Sequence, residues 1–568
     1  MGLRAGRALL GAVVTTLLVT LLPAGQVGPA AATGAPITRS AATTGPVRPS
    51  FVVVVMDDAS LELVRSMRTL RALQREGATY DNAFVVNSLC CPSRAATFTG
   101  QPPHLNGVQT NTSGGPGTDL GGWPAFRAHR GPQRSYNTAL QRSGYRTAFL
   151  GKYLNEYEPG RAASGARTPP PLVPGWDDFE AISGEGYNGW GYYRTTTRGA
   201  GGSGLRLVHH PRPAESASRA VKDKAYVGTV TQQRATALAR RLEKGAASGT
   251  PYLLHVATYA SHARIVPAWR NDPVFPAAFR DRPSSANPGG NCGPRRCSRL
   301  TLRDLAGYGD DPSDNRPYYV QRGTVTRAPA WRRPIGRLSR QAALVRYRDR
   351  ARMVQSVDRM LRGLRQVIGP DTYLIVTSDN GFHLGQHGLN GGKGTPYDSD
   401  TRVPLVVTGP GVVAGRRSGY VSNIDLAPTI ETLAGRTPAR WRAGNSFATS
   451  LDDPRADRAE GAAFTFFEHT QGPVRPGEPD ADPGSGGRLD AIPSYVAVRS
   501  DDGLLVRVDL DKAPGRTDYA WELYRYRRPW EDTNVFKRQH DKRYVRQMKR
   551  RLLAWVDCGP QQCRRLTR

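Results

Sequence analysis

"FVVVVMDDAS", residues 51–60, is a run of one phenylalanine and four valines that stops abruptly at two aspartates. A short, unbroken β-branched run suits a central strand of a parallel sheet, buried on both faces. "TYLIVTSDNG" (372–381) repeats the design, with an acid and an amide just past the apolar run. "RTAFLGKYLNEY" (146–157), "PYLLHVATYASHA" (251–263) and "VPLVVTGPG" (403–411) read as further strands. Between them, "LELVRSMRTLRALQREG" (61–77), "SYNTALQRSGY" (135–145), "TVTQQRATALARRLEKG" (229–245) and one long segment at 341–369 have helical spacing. Strands alternating with helices predict an α/β fold, a mostly parallel layered sheet with helices on both faces. Asp57, Asp58, Lys152, His262, Asp379 and Asn380 all fall at or beyond strand C-termini, the edge where such sheets bind ligands.

The 568 residues are enough for more than one domain. Residues 1–32 read as an export signal: Arg4 and Arg7, the apolar run 8–22, and a small-residue exit at 30–32. An uncleaved anchor is the alternative; no other segment is apolar and long enough to span a bilayer, so no stable membrane insertion is expected after cleavage. An Ala/Thr/Pro-rich lead-in (33–47) precedes a catalytic domain at 48–435. Gly/Arg-rich 159–220 and Pro/Arg-rich 270–340 read as surface insertions. After 436, "AAFTFFEH", "SYVAVRS" and "GLLVRVDL" read as antiparallel strands of a smaller C-terminal α+β subdomain, followed by an exposed basic helix at 537–551.

The net charge is +31, carried by seventy arginines and nine lysines. It favours polyanionic partners, or reflects an arginine bias spread over solvated faces. No dense basic run with interleaved aromatics points to nucleic acid. Of six cysteines, "CGPRRC" (292–297) and "CGPQQC" (558–563) read as two local disulfides, with zinc held by all four as the rival. That leaves Cys90 and Cys91 in "NSLCCPSRAATFTGQ" (87–101), neighbours that pair poorly with each other.

Paired aspartates after a strand read as well as a helix N-cap. Their pairing with Asp379 and Asn380 at an equally apolar strand favours a hard divalent ion, calcium over magnesium for its tolerance of irregular geometry. "CCPSRAATFTG" then resembles the signature of the type I sulfatases, Cys-x-Pro-Ser-Arg followed by a short helix and Thr-Gly. The resemblance covers roughly 48–435, with a weaker echo to 535. "GKYLNEY" (151–157), "PGWDDF" (174–179), "TSDNGFHLGQHGL" (377–389), "YDSDTRVPLVVTGPG" (397–411), "NIDLAPTI" (423–430) and "WELYRYRRPWEDTNV" (521–535) are most similar to the N-acetylglucosamine-6-sulfatase and extracellular heparan sulfatase branch.

The resemblance implies an alkaline-phosphatase-like fold, Ca²⁺, and oxidation of Cys90 to formylglycine by a formylglycine-generating maturation enzyme. An aldehyde hydrate suits sulfate esters: one hydroxyl attacks sulfur, and the other later expels sulfate by reforming the aldehyde. By position, Asp57, Asp58, Asp379 and Asn380, completed by modified Cys90, match the metal ligands. Arg94, Lys152, His262 and Lys393 match the residues that hold the nucleophile, the sulfate and the leaving oxygen. Leu154 stands where many sulfatases have histidine, a loss shared with the glucosamine-6-sulfatase branch. Ser261 and Ala263 replace the prolines around His262; His255 on the same strand is expected to face the core. His383 and His387 are pocket or structural residues. The expected protein is a secreted sulfatase acting on sulfated carbohydrate, with phosphomonoester or phosphonate hydrolysis, or a silent glycan-binding homologue, as the alternatives.

Overall fold

A computed structural model describes residues 48–114, 119–197, 204–309, 316–331, 338–456, 462–472, 481–482, 487–488, 491–511, 518–526 and 533–568. The export signal, the lead-in and the middle of the 521–535 motif lie outside the described residues. The core is a ten-stranded sheet. From one edge its strands are Gly415–Ser422, Ala78–Phe84, Leu405–Thr408, Thr372–Ser378, Ser50–Met56, Tyr252–Ala257, Arg146–Lys152, Asp178–Gly184, Tyr192–Thr197 and Leu205–His210. The five from Thr372–Ser378 to Asp178–Gly184 are parallel, with Val53 opposite Ile375 on one side and His255 on the other. Leu405–Thr408 and Tyr192–Thr197 run against them, so the 403–411 strand continues the sheet in the opposite sense.

The two-sided burial read from "FVVVV" is realised residue by residue. Val52, Val54 and Met56 enter one core with Leu70, Leu238 and Leu361 from helices Arg68–Glu76, Val227–Ala247 and Gln355–Arg365. Phe51, Val53 and Val55 enter a second core with Phe98, Leu140 and Ile430. Each such side chain contributes roughly 1.5–3 kcal/mol on burial, which is why residues 51–56 of the strand are all apolar. The expected long helix at 341–369 is two helices, Arg340–Met353 and Gln355–Arg365, meeting at Val354.

Neither insertion is only a surface excursion. Asp178–Gly184, from the 159–220 segment, lies fully paired beside Arg146–Lys152, and two more strands extend the sheet from it. Its alternation in "DFEAIS" is brief and sits among glycines and arginines, which obscured it. From the 270–340 segment, the hairpin Tyr318–Gln321/Thr324–Arg327 joins a six-stranded antiparallel sheet through Tyr318 and Trp521. The rest of that sheet is Thr465–His469, Tyr495–Ser500 and Gly503–Asp509, the three strands expected of the C-terminal region, and Tyr519–Tyr524, which was not. The basic helix is not simply exposed: in Arg543–Trp555, Val545, Met548, Leu552 and Trp555 are buried, and Trp555 stacks on Phe466.

Cys292–Cys297 and Cys558–Cys563 form disulfides with Cα separations of 5.2 and 5.3 Å, which sets aside the four-cysteine zinc site. Cys90 and Cys91 are buried and unpaired. No helix among the described residues is long and apolar enough to cross a membrane.

Candidate active site

The cysteine motif is the first turn of helix Cys90–Thr99 rather than a prelude to it. Pro92 fits there because first-turn N–H groups have no intrahelical partner to lose. All ten residues are buried, and Gly100 ends the helix at φ +62°. A Cβ on Gly100 would lie 2.7 Å from Arg442 Cδ, so both conformation and space require glycine. Cys90 therefore sits at the positive end of the helix dipole. Asn423, from "NIDLAPTI", fixes this helix in place. Its Nδ2 donates to Ser93 O at 2.9 Å and Thr97 Oγ1 at 3.1 Å, while its Oδ1 accepts Val86 N–H at 3.0 Å. Ser93 Oγ donates to the backbone carbonyl of Asp379, joining the helix to the end of the 372–378 strand.

Every sequence-predicted site residue converges at one sheet edge. Cys90, Arg94, Lys152, His262, Lys393, Asp57, Asp58, Asp379 and Asn380 are all 5% exposed or less. Cys90 Sγ is 2.9 Å from Lys393 Nζ, 3.4 Å from Asp57 Oδ1 and 3.8 Å from Asp58 Oδ1. Lys393 Nζ also donates to Asp58 Oδ1 at 2.7 Å, and Lys152 Nζ to Asp57 Oδ2 at 2.8 Å. Arg94 Nε donates to Asp379 Oδ2 at 2.8 Å and its Nη1 to Lys152 O at 2.7 Å. Three buried carboxylates thus face three buried cations. Burial opposes the charge of Lys152, yet Asp57 beside it holds the ammonium well above the usual lysine value. Burial pushes the Cys90 thiol up, against the pull of Lys152 and Lys393. An unmodified Cys90 is therefore a poor thiolate nucleophile.

His262 reaches the cluster without its flanking prolines. Thr258 N–H donates to Val55 O at 3.0 Å and Ser261 N–H to Asp57 O at 2.7 Å, so the loop is sewn to the end of the first strand. His262 Nδ1 donates to Ala263 O at 2.7 Å, leaving Nε2 turned to Asp58 Oδ2 at 3.7 Å. His255 instead faces the aromatic core, with Nδ1 2.6 Å from Tyr136 Oη; burial lowers its pKa to about 3. His383 bonds Asp400 at 2.8 Å and His387 stacks on Tyr397, both structural contacts.

The residues present fit a hard cation. Asp58 Oδ2 and Asn380 Oδ1 are buried oxygens that accept no hydrogen bond. With Nδ1–H committed to a carbonyl, His262 turns Nε2 toward the Asp58 carboxylate, and an imidazole nitrogen and a carboxylate oxygen are both ligand types for a metal ion. Ligand atoms of Asp57, Asp58, Cys90 and His262 lie within 4.8 Å of one another. That compact group includes His262 and omits Asp379, whose oxygens accept Asp58 N–H and Arg94 Nε–H.

Two residues were not read from the sequence. Arg350, fully buried, donates to Asp58 O and, at 3.1 Å, to Ser60 Oγ. It thereby supports Asp58 at φ +56°, a conformation few non-glycine residues adopt. It is one arginine among many on an arginine-rich helix, with no distinguishing spacing. Tyr187, from the 159–220 segment, places its ring 4.8 Å from Lys152 Nζ and 4.4 Å from the His262 ring.

A family model described as Sulfatase matches residues 49–436. An extracellular sulfatase SULF-1 homolog of Drosophila melanogaster is 28% identical over 415 residues, 71% of this chain but 31% of that protein. The N-acetylglucosamine-6-sulfatase of Capra hircus is 28% identical over 407 residues, 70% of this chain and 62% of that protein. The chain thus spans less than two thirds of either relative. A solved protein structure in complex with its substrate D-glucosamine-2-N,6-O-disulfate superposes with a TM-score of 0.58 at 19% identity, over 91% of this chain and 98% of that one. The signature helix, the two acid-ended strands and the converging lysines all fall inside the matched segment, and this chain belongs to the sulfatase family.

Proposed function

We propose that this chain is a secreted sulfatase that hydrolyses sulfate monoesters of carbohydrate, with sulfated amino sugars as the substrate class. The observation that carries the proposal is Cys90 at a helix N-terminus, 2.9 Å from Lys393 Nζ and 3.4 Å from Asp57, inside a buried ring of cations and carboxylates. Catalysis belongs to the 48–435 segment, with 436–568 as its C-terminal subdomain. Tyr495 Oη of that region donates to Gly394 O at 3.0 Å, bracing the loop that carries Lys393.

Asp57, Asp58, Asp379 and Asn380, with residue 90, would hold the Ca²⁺. Formylglycine at residue 90 would supply the attacking oxygen as its hydrate, and the bound cation would supply positive charge for that oxygen and the sulfate. Arg94, held by Asp379, keeps Nη2 3.7 Å from Asp57 Oδ1 with no hydrogen bond of its own, a donor for the hydroxyl at residue 90. Lys152 and Lys393 offer ammonium groups for the equatorial sulfate oxygens, each such donor contributing about 3 kcal/mol to the transition state. Lys393 or His262 is the proton donor for the departing sugar oxygen.

The discriminating experiment compares aryl sulfate with aryl phosphate, using protein produced with the maturation enzyme. Preferential sulfate hydrolysis supports the proposal; preferential phosphate hydrolysis supports the phosphomonoester alternative. Arg350 gives an independent test. Arg350→Met removes the support under Asp58 and weakens Ca²⁺ binding about tenfold or more, measured by calorimetric titration. Unchanged affinity would contradict the role given to Asp58.

A further inference from the structure

The catalytic side chains are buried, so the sugar must rest on what surrounds the pocket mouth. Three structural features meet there. The turn Glu185–Asn188 follows the Asp178–Gly184 strand, next to the strand that ends in Lys152. Gly186 lets this turn close on Tyr259, since a Cβ there would lie 2.5 Å from the Tyr259 ring. Tyr187 is thereby held edge-on to Tyr259 and against His262, yet it stays half-buried while the groups it covers do not reach solvent.

The second feature lies three residues past His262 in the chain. Ile265 and Val266 are 48% and 47% exposed, large apolar side chains left in water. Their position is fixed from the same turn: Asn188 Oδ1 accepts both Ile265 N–H and Val266 N–H at 3.0 Å. One short turn therefore places an aromatic ring beside Lys152 and His262 and anchors an exposed aliphatic pair next to it. The third feature is origin: Tyr187 comes from the 159–220 insertion, Ile265 and Val266 follow directly on the His262 loop, and none of the three belongs to the cation cluster.

Resting on the sulfatase reading, we infer that Tyr187, Ile265 and Val266 form the subsite for the pyranose ring that carries the sulfate. A pyranose offers an apolar C–H face, which packs on an aromatic ring and aliphatic side chains, while its sulfate reaches inward to Lys152. The lip selects a ring-shaped sugar sulfate over a small, ringless sulfate.

The test uses matured full-length protein, glucosamine 6-sulfate as substrate and inorganic sulfate as competitive inhibitor. Tyr187→Ala and the surface double variant Ile265→Ser/Val266→Ser should each raise KM for the sugar about tenfold or more. The inhibition constant of inorganic sulfate, which needs only the cation pocket, should change less than about threefold. If sulfate inhibition weakens in step with KM, Tyr187 acts by positioning Lys152, and the sugar subsite is overturned. If KM for the sugar is unchanged in both variants, the subsite is likewise overturned. Wild-type protein that hydrolyses no sulfate ester would instead refute the sulfatase reading, a separate result.

Discussion

Cys90→Ala lowers sulfate-ester turnover by about 10⁴-fold or more and leaves the fold standing. The side chain is 1% exposed and lies in polar rather than apolar surroundings, so deleting its sulfur leaves a small void worth about 1 kcal/mol. The helix it begins is held elsewhere, by Asn423 on Ser93 and Thr97 and by Ser93 on Asp379. Thermal melting should therefore shift by only a few degrees while activity disappears. A variant that kept full turnover would remove residue 90 from the chemistry.

Lys393→Met gives the second large effect, and it reads out in two ways. Lys393 Nζ bridges Asp58 Oδ1 and Cys90 Sγ, and the residue is almost wholly buried. Removing one partner of a buried ion pair leaves the other uncompensated and destabilises by about 3–5 kcal/mol. Turnover falls by about 10²–10³, the loss typical of one preorganised donor. A divalent cation beside Asp58 supplies the missing positive charge, so millimolar Ca²⁺ should restore most of the lost stability but not the turnover. Melting curves with and without Ca²⁺ measure this; a Ca²⁺-independent melting point would argue that Asp58 is not a metal ligand.

The parts of this arrangement legible in the sequence were those with local periodicity or a compact motif. "FVVVV" and "TYLIV" announce strands because both their faces are buried, and Asp57, Asp58, Asp379 and Asn380 follow from where those strands end. The sulfatase-like motifs pointed to Cys90, Arg94, Lys152, His262 and Lys393, all of which are buried around Asp57, Asp58 and Asp379. What escaped depends on contacts between distant segments. Strand Asp178–Gly184 pairs only because Arg146–Lys152 offers it an edge, and its own alternation is too short to stand out. Arg350 differs from sixty-nine other arginines solely by lying under Asp58. Tyr187 gained its place from a turn inside a glycine-rich stretch, where no periodicity applies. The basic helix Arg543–Trp555 was recognised by its charges, while its buried stripe was overlooked. His262 comes beside Asp58 without its prolines because backbone hydrogen bonds to Val55 and Asp57 set the loop.

The central claim is that residue 90, as an aldehyde, drives sulfate-ester hydrolysis in this pocket. Its most direct measurement is mass spectrometry of the 87–101 peptide across preparations made with graded amounts of the maturation enzyme, set against turnover of the same samples. The account predicts that activity rises in proportion to the aldehyde fraction at residue 90 and vanishes when that fraction is zero. Full activity from protein carrying only the unmodified thiol would contradict it.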